Sequence, residues 1–234
     1  MTTNESDMPE DAATSHPETL PQETSDTLSM ALETFDVKVD SRAVPELERY
    51  CELLWDWNSK LNLTRHTDFD AFVTRDLIDT QHLIDQIPKG ARVLDVGSGG
   101  GVPGIPAAIL RPDLRISLAD SVAKKAAALQ SIVQTMNLKV AVQPDRAENV
   151  LKRKRFDVVT ARAVAPAEKM LRWFEQRWDS IGELLLIKGR RWPDEEAAAA
   201  EAGLLDHLRV EIIDSWSTCG RDGNSVLVSI SRIK

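Results

Sequence analysis

Residues 93–106 read Val-Leu-Asp-Val-Gly-Ser-Gly-Gly-Gly-Val-Pro-Gly-Ile-Pro: a short β-rich run, a glycine loop, then a stretch fit to open a helix. Glycine lets the backbone take positive φ and come close to a ligand, so this junction is where a bound small molecule is expected. Beyond it, β-rich runs alternate with helical stretches. LRISLAD (114–120) precedes a helix expected over Val122 to Met136, then LKVAVQ (138–143). FDVVTA (156–161), a helix over Ala167 to Trp178, ELLLIKG (183–189) and an Ala/Glu-rich helix over Pro193 to Leu205 continue the series. RVEIIDSW (209–216) and SVLVSISRI (225–233), separated by Thr218 to Asn224, should pair antiparallel at a sheet edge. This order predicts an α/β fold with a doubly wound, mostly parallel sheet and a ligand site at the carboxyl ends of its central strands.

Before Gly90 the period is helical instead. Leu47, Tyr50, Cys51, Leu54, Trp55 and Leu61 trace one face, and Pro45 suits a first helical turn. A second helix is expected over Asp68 to Ile87, stopping at Pro88-Lys89-Gly90. Residues 27–89 thus read as a helical N-terminal subdomain and 90–234 as the ligand-binding domain. Residues 1–26, rich in Thr, Glu, Ser, Pro and Asp, read as a disordered acidic tail.

A chain of 234 residues holds one sizeable core and a small appendage. It has no apolar run of the roughly 18 residues that a membrane span needs, and no signal or transit segment, which points to the cytoplasm. Cys51 and Cys219 stand far apart and outside any Cys-x-x-Cys pair, so reduced, buried thiols are expected rather than a disulfide framework or a zinc cluster. The net charge of −8 seemingly excludes a polyanionic partner, but the average misleads. Residues 1–36 hold nine acidic side chains and no Lys or Arg, leaving 28 acidic against 29 basic residues in the remainder. Basic residues cluster at Lys124-Lys125, at Lys152 to Arg155 and at Lys188 with Arg190-Arg191.

Gly99-x-Gly101-x-x-Gly104 satisfies the dinucleotide pattern in form, yet Asp95 argues against a pyrophosphate. A carboxylate just before the first glycine repels an anion, whereas it complements the ammonium and sulfonium of S-adenosylmethionine. The alternative is an Asp95 that caps loop amides. Asp120 ends the second strand, where an acid commonly takes ribose hydroxyls; it could equally cap the following helix. Asp145-Arg146-Ala147-Glu148 follows the third strand, a position suited to the adenine edge or to a solvated loop.

These residues resemble the bacterial small-subunit ribosomal RNA guanine-N7 methyltransferases, known as RsmG or GidB. The resemblance rests on Trp57-Asn58 with Leu61-Asn62-Leu63-Thr64, on residues 95–112 and 118–129, on Ala161-Arg162-Ala163 and on Leu186-Ile187-Lys188-Gly189, and covers about 43–232. It implies a Rossmann-like class I methyltransferase fold and methyl transfer from S-adenosylmethionine to N7 of a guanine in 16S rRNA, within the 30S subunit or its precursor, by a monomer. By motif position Gly97, Val102, Ala147, Glu148 and Arg162 look like cofactor contacts; Asp95, Gly99, Gly101 and Asp120 join them from the residue-level reading. Arg146, Arg162 and Lys188 similarly look like rRNA contacts, with ordinary ion pairs as the alternative. Lys124-Lys125 and the 152–155 run fit phosphate positioning and a solvated helix face equally well. Trp173, Trp178 and Trp192 could stack on bases, with core packing the default. No general base is nominated, because guanine N7 carries a lone pair and no proton. The chain departs from the family at Arg75-Asp76, where Arg-His is expected, and at Leu77-Ile78-Asp79-Thr80, where Leu-x-Asp-Ser is expected. Competing readings are a methyltransferase for a small molecule or protein, a NAD-dependent oxidoreductase, and a non-catalytic ribosome-associated module.

Overall fold

The computed structural model describes residues 24–217 and 223–233. Nearly all of the acidic tail, and Cys219, lie outside them. The chain begins with α1 (Leu28–Thr34), whose N-cap Thr27 accepts a hydrogen bond from the Met30 amide, and α2 (Val44–Asn58), with Pro45 in its first turn. Next come α3 (Phe69–Ala71), capped by Asp68, a π-helical turn over Phe72–Leu77, and α4 (Ile78–Asp85). The single helix expected over 68–87 therefore carries a wide turn in its middle, where the Ile78 amide reaches back five residues to the Val73 carbonyl. Side chains compete for the carbonyls around it. Thr74 donates to the Asp70 carbonyl, Thr80 to that of Asp76 and Arg162 to that of Arg75, which loosens the regular ladder.

The sheet comprises β1 (Arg92–Val96), β2 (Arg115–Ala119), β3 (Ala141–Gln143), β4 (Phe156–Arg162), β5 (Ile181–Lys188), β6 (Leu208–Ser217) and β7 (Asn224–Arg232). Its order is β3-β2-β1-β4-β5-β7-β6. The first five strands are parallel, while β7 runs antiparallel to both β5 and β6 and closes the edge as the sequence implies. The crossovers are α5 (Gly104–Leu110), α6 (Ala123–Thr135), α7 (Ala147–Arg153), α8 (Ala167–Phe174) and α9 (Trp192–Glu201). The helix expected through Trp178 stops at Phe174, and Trp178–Ser180 forms a separate 3-10 turn.

Both faces of the sheet are covered, which is why its parallel strands read as continuous apolar runs. Alternation divides them: Val93 joins one core and Leu94 the other. The first core includes Leu28, Leu47, Tyr50, Leu54, Phe72 and Leu77 of the N-terminal helices, all at most 1% exposed, packed with Ile105, Leu118 and Leu185. At roughly 1.5–3 kcal/mol for each large apolar side chain buried, these helices form a layer of the same domain. Cys51 is buried among them, and burial pushes its thiol well above the ordinary value. Among the described residues no helix is long and apolar enough to cross a membrane.

Candidate active site

Strand order reverses between β1 and β4, and there a cavity of about 370 Å³ opens at the carboxyl ends of the parallel strands. Sites for small ligands span roughly 300–1,000 Å³, so this one suits a nucleoside-sized molecule. Val96 and Gly97 come from the end of β1, Ala119 and Asp120 from the end of β2, and Asp145 to Glu148 from the start of α7. Val164 follows β4, and Lys169 and Trp173 stand one turn apart on α8.

The glycine loop makes the floor. Gly97 has φ +64, and a Cβ there would meet Val164 Cγ2 at 2.9 Å, so only glycine leaves this wall of the cavity open. The amides of Gly97 and Ser98 both donate to the Ala119 carbonyl, at 2.8 and 3.1 Å, tying the loop to the end of β2. From behind, the Tyr50 hydroxyl donates to the Gly100 carbonyl at 2.9 Å, so α2 fixes the loop's position. At Gly104 the reason for glycine is space: a Cβ would lie 2.3 Å from Leu118 Cδ2.

The two strand-end acids take different places. Asp120 lines the cavity; its Oδ2 accepts from the Gly99 amide at 3.0 Å and its Oδ1 from the Val122 amide at 2.8 Å. It therefore anchors the loop and caps the approach to α6 while keeping lone pairs free for a ligand. Asp95 sits behind the loop, 1% exposed and outside the cavity lining. Its Oδ1 accepts from the Thr160 hydroxyl at 3.2 Å, while Oδ2 has no hydrogen-bond partner among the described residues. Desolvation pushes its carboxyl up to about 6. Asp145 is the opposite case: the Asn149 amide and the Arg153 guanidinium hold it down at about 2.

Of the residues expected from sequence, Gly97, Asp120, Arg146, Ala147 and Glu148 meet at the cavity, and Gly99 bonds Asp120 beside it. Gly101 and Val102 belong to the loop's turn outside the lining. Arg162 ends β4 and points into the N-terminal layer. It donates to Asp76 at 2.6 Å and Asp79 at 3.0 Å. Burial works against its charge, but the two carboxylates outweigh that and its pKa lies above the ordinary value. The network extends to His66, whose Nδ1 is 2.9 Å from Asp76, and to Trp216, whose indole N–H donates to Asp79. An imidazole thus stands beside position 76 even though the residue there is Asp. Lys188 donates to Glu195 at 2.7 Å and to the Ala165 carbonyl at 3.0 Å, its side chain largely buried. Lys124 and Lys125 occupy the first turn of α6, where no acidic residue offsets them against the helix dipole. Trp173 reaches the cavity rim, Trp178 packs on the second core and Trp192 is buried in it.

Sequence reasoning missed Val164, Lys169 and Ser121 as cavity-lining residues. One local feature bears on the first: Ala163, between Arg162 and Val164, has φ +55, a strained value for alanine that turns the chain at the end of β4.

A switch-point cavity floored by a glycine loop, on a sheet closed by an antiparallel β7, defines a class I methyltransferase of Rossmann-like architecture. The O-methyltransferase from Bacillus cereus, solved in complex with SAH, shares this fold, with a TM-score of 0.56 and 14% identity over 87% of this chain and 97% of that one. Within this class the chain belongs to the family described as rRNA small subunit methyltransferase G, whose model matches residues 43–221. It is 44% identical to the ribosomal RNA small subunit methyltransferase G of Rhodopirellula baltica, covering 80% of each chain. Against the protein of the same name from Chromobacterium violaceum it is 35% identical, over 76% of this chain and 85% of that one.

Proposed function

We propose that this protein transfers the methyl group of S-adenosylmethionine to N7 of a guanine in 16S rRNA, acting as a cytoplasmic monomer on the 30S subunit or its precursor. The observation that carries the reading is the cavity at the β1/β4 switch point in a chain of this family. The residues present fit the cofactor: glycine where a Cβ would close the wall, small apolar Ala119 and Ala147 beside it, and carboxylates at Asp120 and Glu148. Asp120 would hold the ribose hydroxyls, and the Ala147-Glu148 turn would face the adenine edge. S-adenosylmethionine supplies an electrophilic methyl group on a sulfonium.

Guanine N7 offers a lone pair and no proton, so the chain has to orient and desolvate rather than remove a proton. Arg146, exposed on the cavity rim and paired with Glu148 at the long distance of 3.9 Å, would turn to guanine or phosphate. Lys124 and Lys125, in the first turn of α6, would add phosphate contacts. Arg162, by contrast, would act through the buried aspartates, holding the N-terminal layer against the end of β4 and so shaping the site from behind. Lys188, bonded to Glu195, would likewise position the β5 end.

The test is incubation with labelled S-adenosylmethionine and 30S subunits lacking N7 modification, followed by nuclease digestion and nucleoside mass analysis. The expected result is 7-methylguanosine at one 16S position. Tight cofactor binding with no labelled RNA would redirect the reading to another substrate.

A further inference from the structure

On the rRNA reading above, we propose that the amino-terminal edge of the sheet carries a second RNA-binding site, a basic groove that takes the phosphate backbone away from the methyl-transfer cavity. The groove encloses about 790 Å³ and is lined by Arg92, Arg115, Lys139, Arg153, Lys154 and Arg155. These come from separate parts of the chain: the first residues of β1 and β2, the approach to β3, the end of α7 and its link to β4. The parallel sheet brings them together because all four strands begin at this edge.

Part of this charge is matched within the protein. Arg92 lies 3.7 Å from Asp157 and Arg153 2.8 Å from Asp145, while Asp113, the acidic residue of the lining, is held by Arg111 at 2.7 Å. Arg115, Lys139, Lys154 and Arg155 are exposed and form no ion pair among the described residues. Compensation of the α7 dipole accounts for Lys152 and Arg153 in its last turn, but not for Arg115 or Lys139, which belong to other elements. Four unmatched cations in one groove repel one another, and a row of phosphates relieves that repulsion while releasing its own counterions.

The groove is also unsuited to a membrane surface. Its apolar lining residues Leu114, Ile116 and Phe156 are buried, and the exposed large apolar residues of the described chain, such as Met30, Ile212 and Ile233, lie elsewhere. Along β1 and β2, five residues each, the groove and the cofactor cavity open at opposite ends, roughly 16 Å apart at about 3.3 Å per residue, while beside α7 the Arg153–Asp145 pair links their rims. A folded rRNA can reach both edges, so the groove contributes affinity and register while the cavity performs the chemistry.

The experiment compares the full chain with a variant carrying Arg115→Gln, Lys139→Gln, Lys154→Gln and Arg155→Gln. S-adenosylmethionine affinity is read by calorimetry, 30S binding across a salt series, and methylation as kcat and KM. Neutralising four phosphate contacts should lower the slope of log affinity against log salt by about 3. KM for 30S should rise at least about tenfold, with kcat and cofactor affinity unchanged. An unchanged slope and KM in a parent that methylates 30S would overturn the groove and leave the enzymatic reading standing. If the parent methylates no rRNA, that reading fails separately, and the groove is judged on duplex RNA alone, where equal binding by parent and variant overturns it. Binding of the parent to vesicles rich in phosphatidylserine, lost in the variant and with no RNA binding, would assign the groove to membranes instead and likewise overturn it.

Discussion

The two ends of the parallel sheet handle charge in opposite ways. At the carboxyl ends, several buried and half-buried ionised groups are engaged: Arg162 with Asp76 and Asp79, Lys188 with Glu195, Asp120 with two amides, Asp145 with Asn149 and Arg153. At the amino ends, four cations face solvent with no partner among the described residues. Burial explains the difference. Where these side chains are desolvated, an unmatched charge would cost several kcal/mol, and these pairs offset that cost. On the exposed edge water screens the cations, and leaving them unmatched costs little until a polyanion arrives. Engaged groups set geometry, and unengaged ones are free to recruit.

The hardest test of the matched end is Arg162→Ala. It leaves Asp76, 1% exposed, and Asp79, 6% exposed, without their cation, and breaking such a pair costs about 3–5 kcal/mol. Urea unfolding should read that loss, and adding Asp76→Asn with Asp79→Asn should restore most of it. A loss below about 1 kcal/mol would mean that the aspartates are not charged and buried together, and the contrast between the ends would collapse.

Asp95 probes the same end through pH. Its folded carboxyl titrates at about 6, above the ordinary 3.8, so the folded state holds its proton more tightly than the unfolded chain does. The contribution of Asp95 is therefore most favourable at low pH and is lost as pH rises from about 4 to about 6. Asp95→Asn lacks this term. The stability of the variant minus that of the parent should climb across that window, by an amount on the order of 3 kcal/mol, and then level off. A difference independent of pH would show Asp95 to be solvated. The third effect is on the ligand: Gly97→Asp strains the left-handed backbone and presses its side chain against Val164 at the cavity wall. Cofactor affinity should fall about a hundredfold, roughly 2.7 kcal/mol, with some loss of melting temperature from the backbone strain; full affinity in calorimetry would separate the cavity from the cofactor.

The sequence was most informative where backbone chemistry decides the outcome. The change at Gly90 from helical spacing to β-rich runs alternating with helical stretches marked the start of the sheet, and the loop glycines located the switch point, because few other residues serve where φ is positive or a neighbour is 2.3 Å away. It was least informative where long side chains choose among partners. Asp95, read as facing the ligand or capping the loop, lies behind the loop; Arg162, read as a cofactor and rRNA contact with an ion pair as the alternative, lies between Asp76 and Asp79. Apolar spacing over 68–87 could not reveal a π-helical turn, since threonine hydroxyls and a distant guanidinium help to loosen that ladder. The amino-edge groove was hidden for a related reason: Arg92, Arg115 and Lys139 are isolated in sequence and join Arg153, Lys154 and Arg155 only once the strands align.

The smallest predicted effect couples the two halves of the charge inventory. Residues 1–23 include Glu5, Asp7, Glu10, Asp11, Glu18 and Glu23 and no Lys or Arg, on a chain whose remaining cations are locally clustered. As a polyanion in cis, this segment would compete with phosphate for exposed unmatched cations, of which four stand together in the amino-edge groove. Deleting residues 1–23, while keeping Ser25 and its hydrogen bond to Asp70, should tighten 30S binding a few-fold at low salt. The gain should vanish at high salt, because exposed charges are screened within about 10 Å at 0.1 M. It should also vanish in the groove-neutralised variant, since removing the competitor cannot help once the contested charges are gone. A deletion that tightens binding equally in both backgrounds would move the competition to cations outside the groove, such as Lys124-Lys125 in the first turn of α6, and one that weakens binding would make the acidic segment part of the RNA interface.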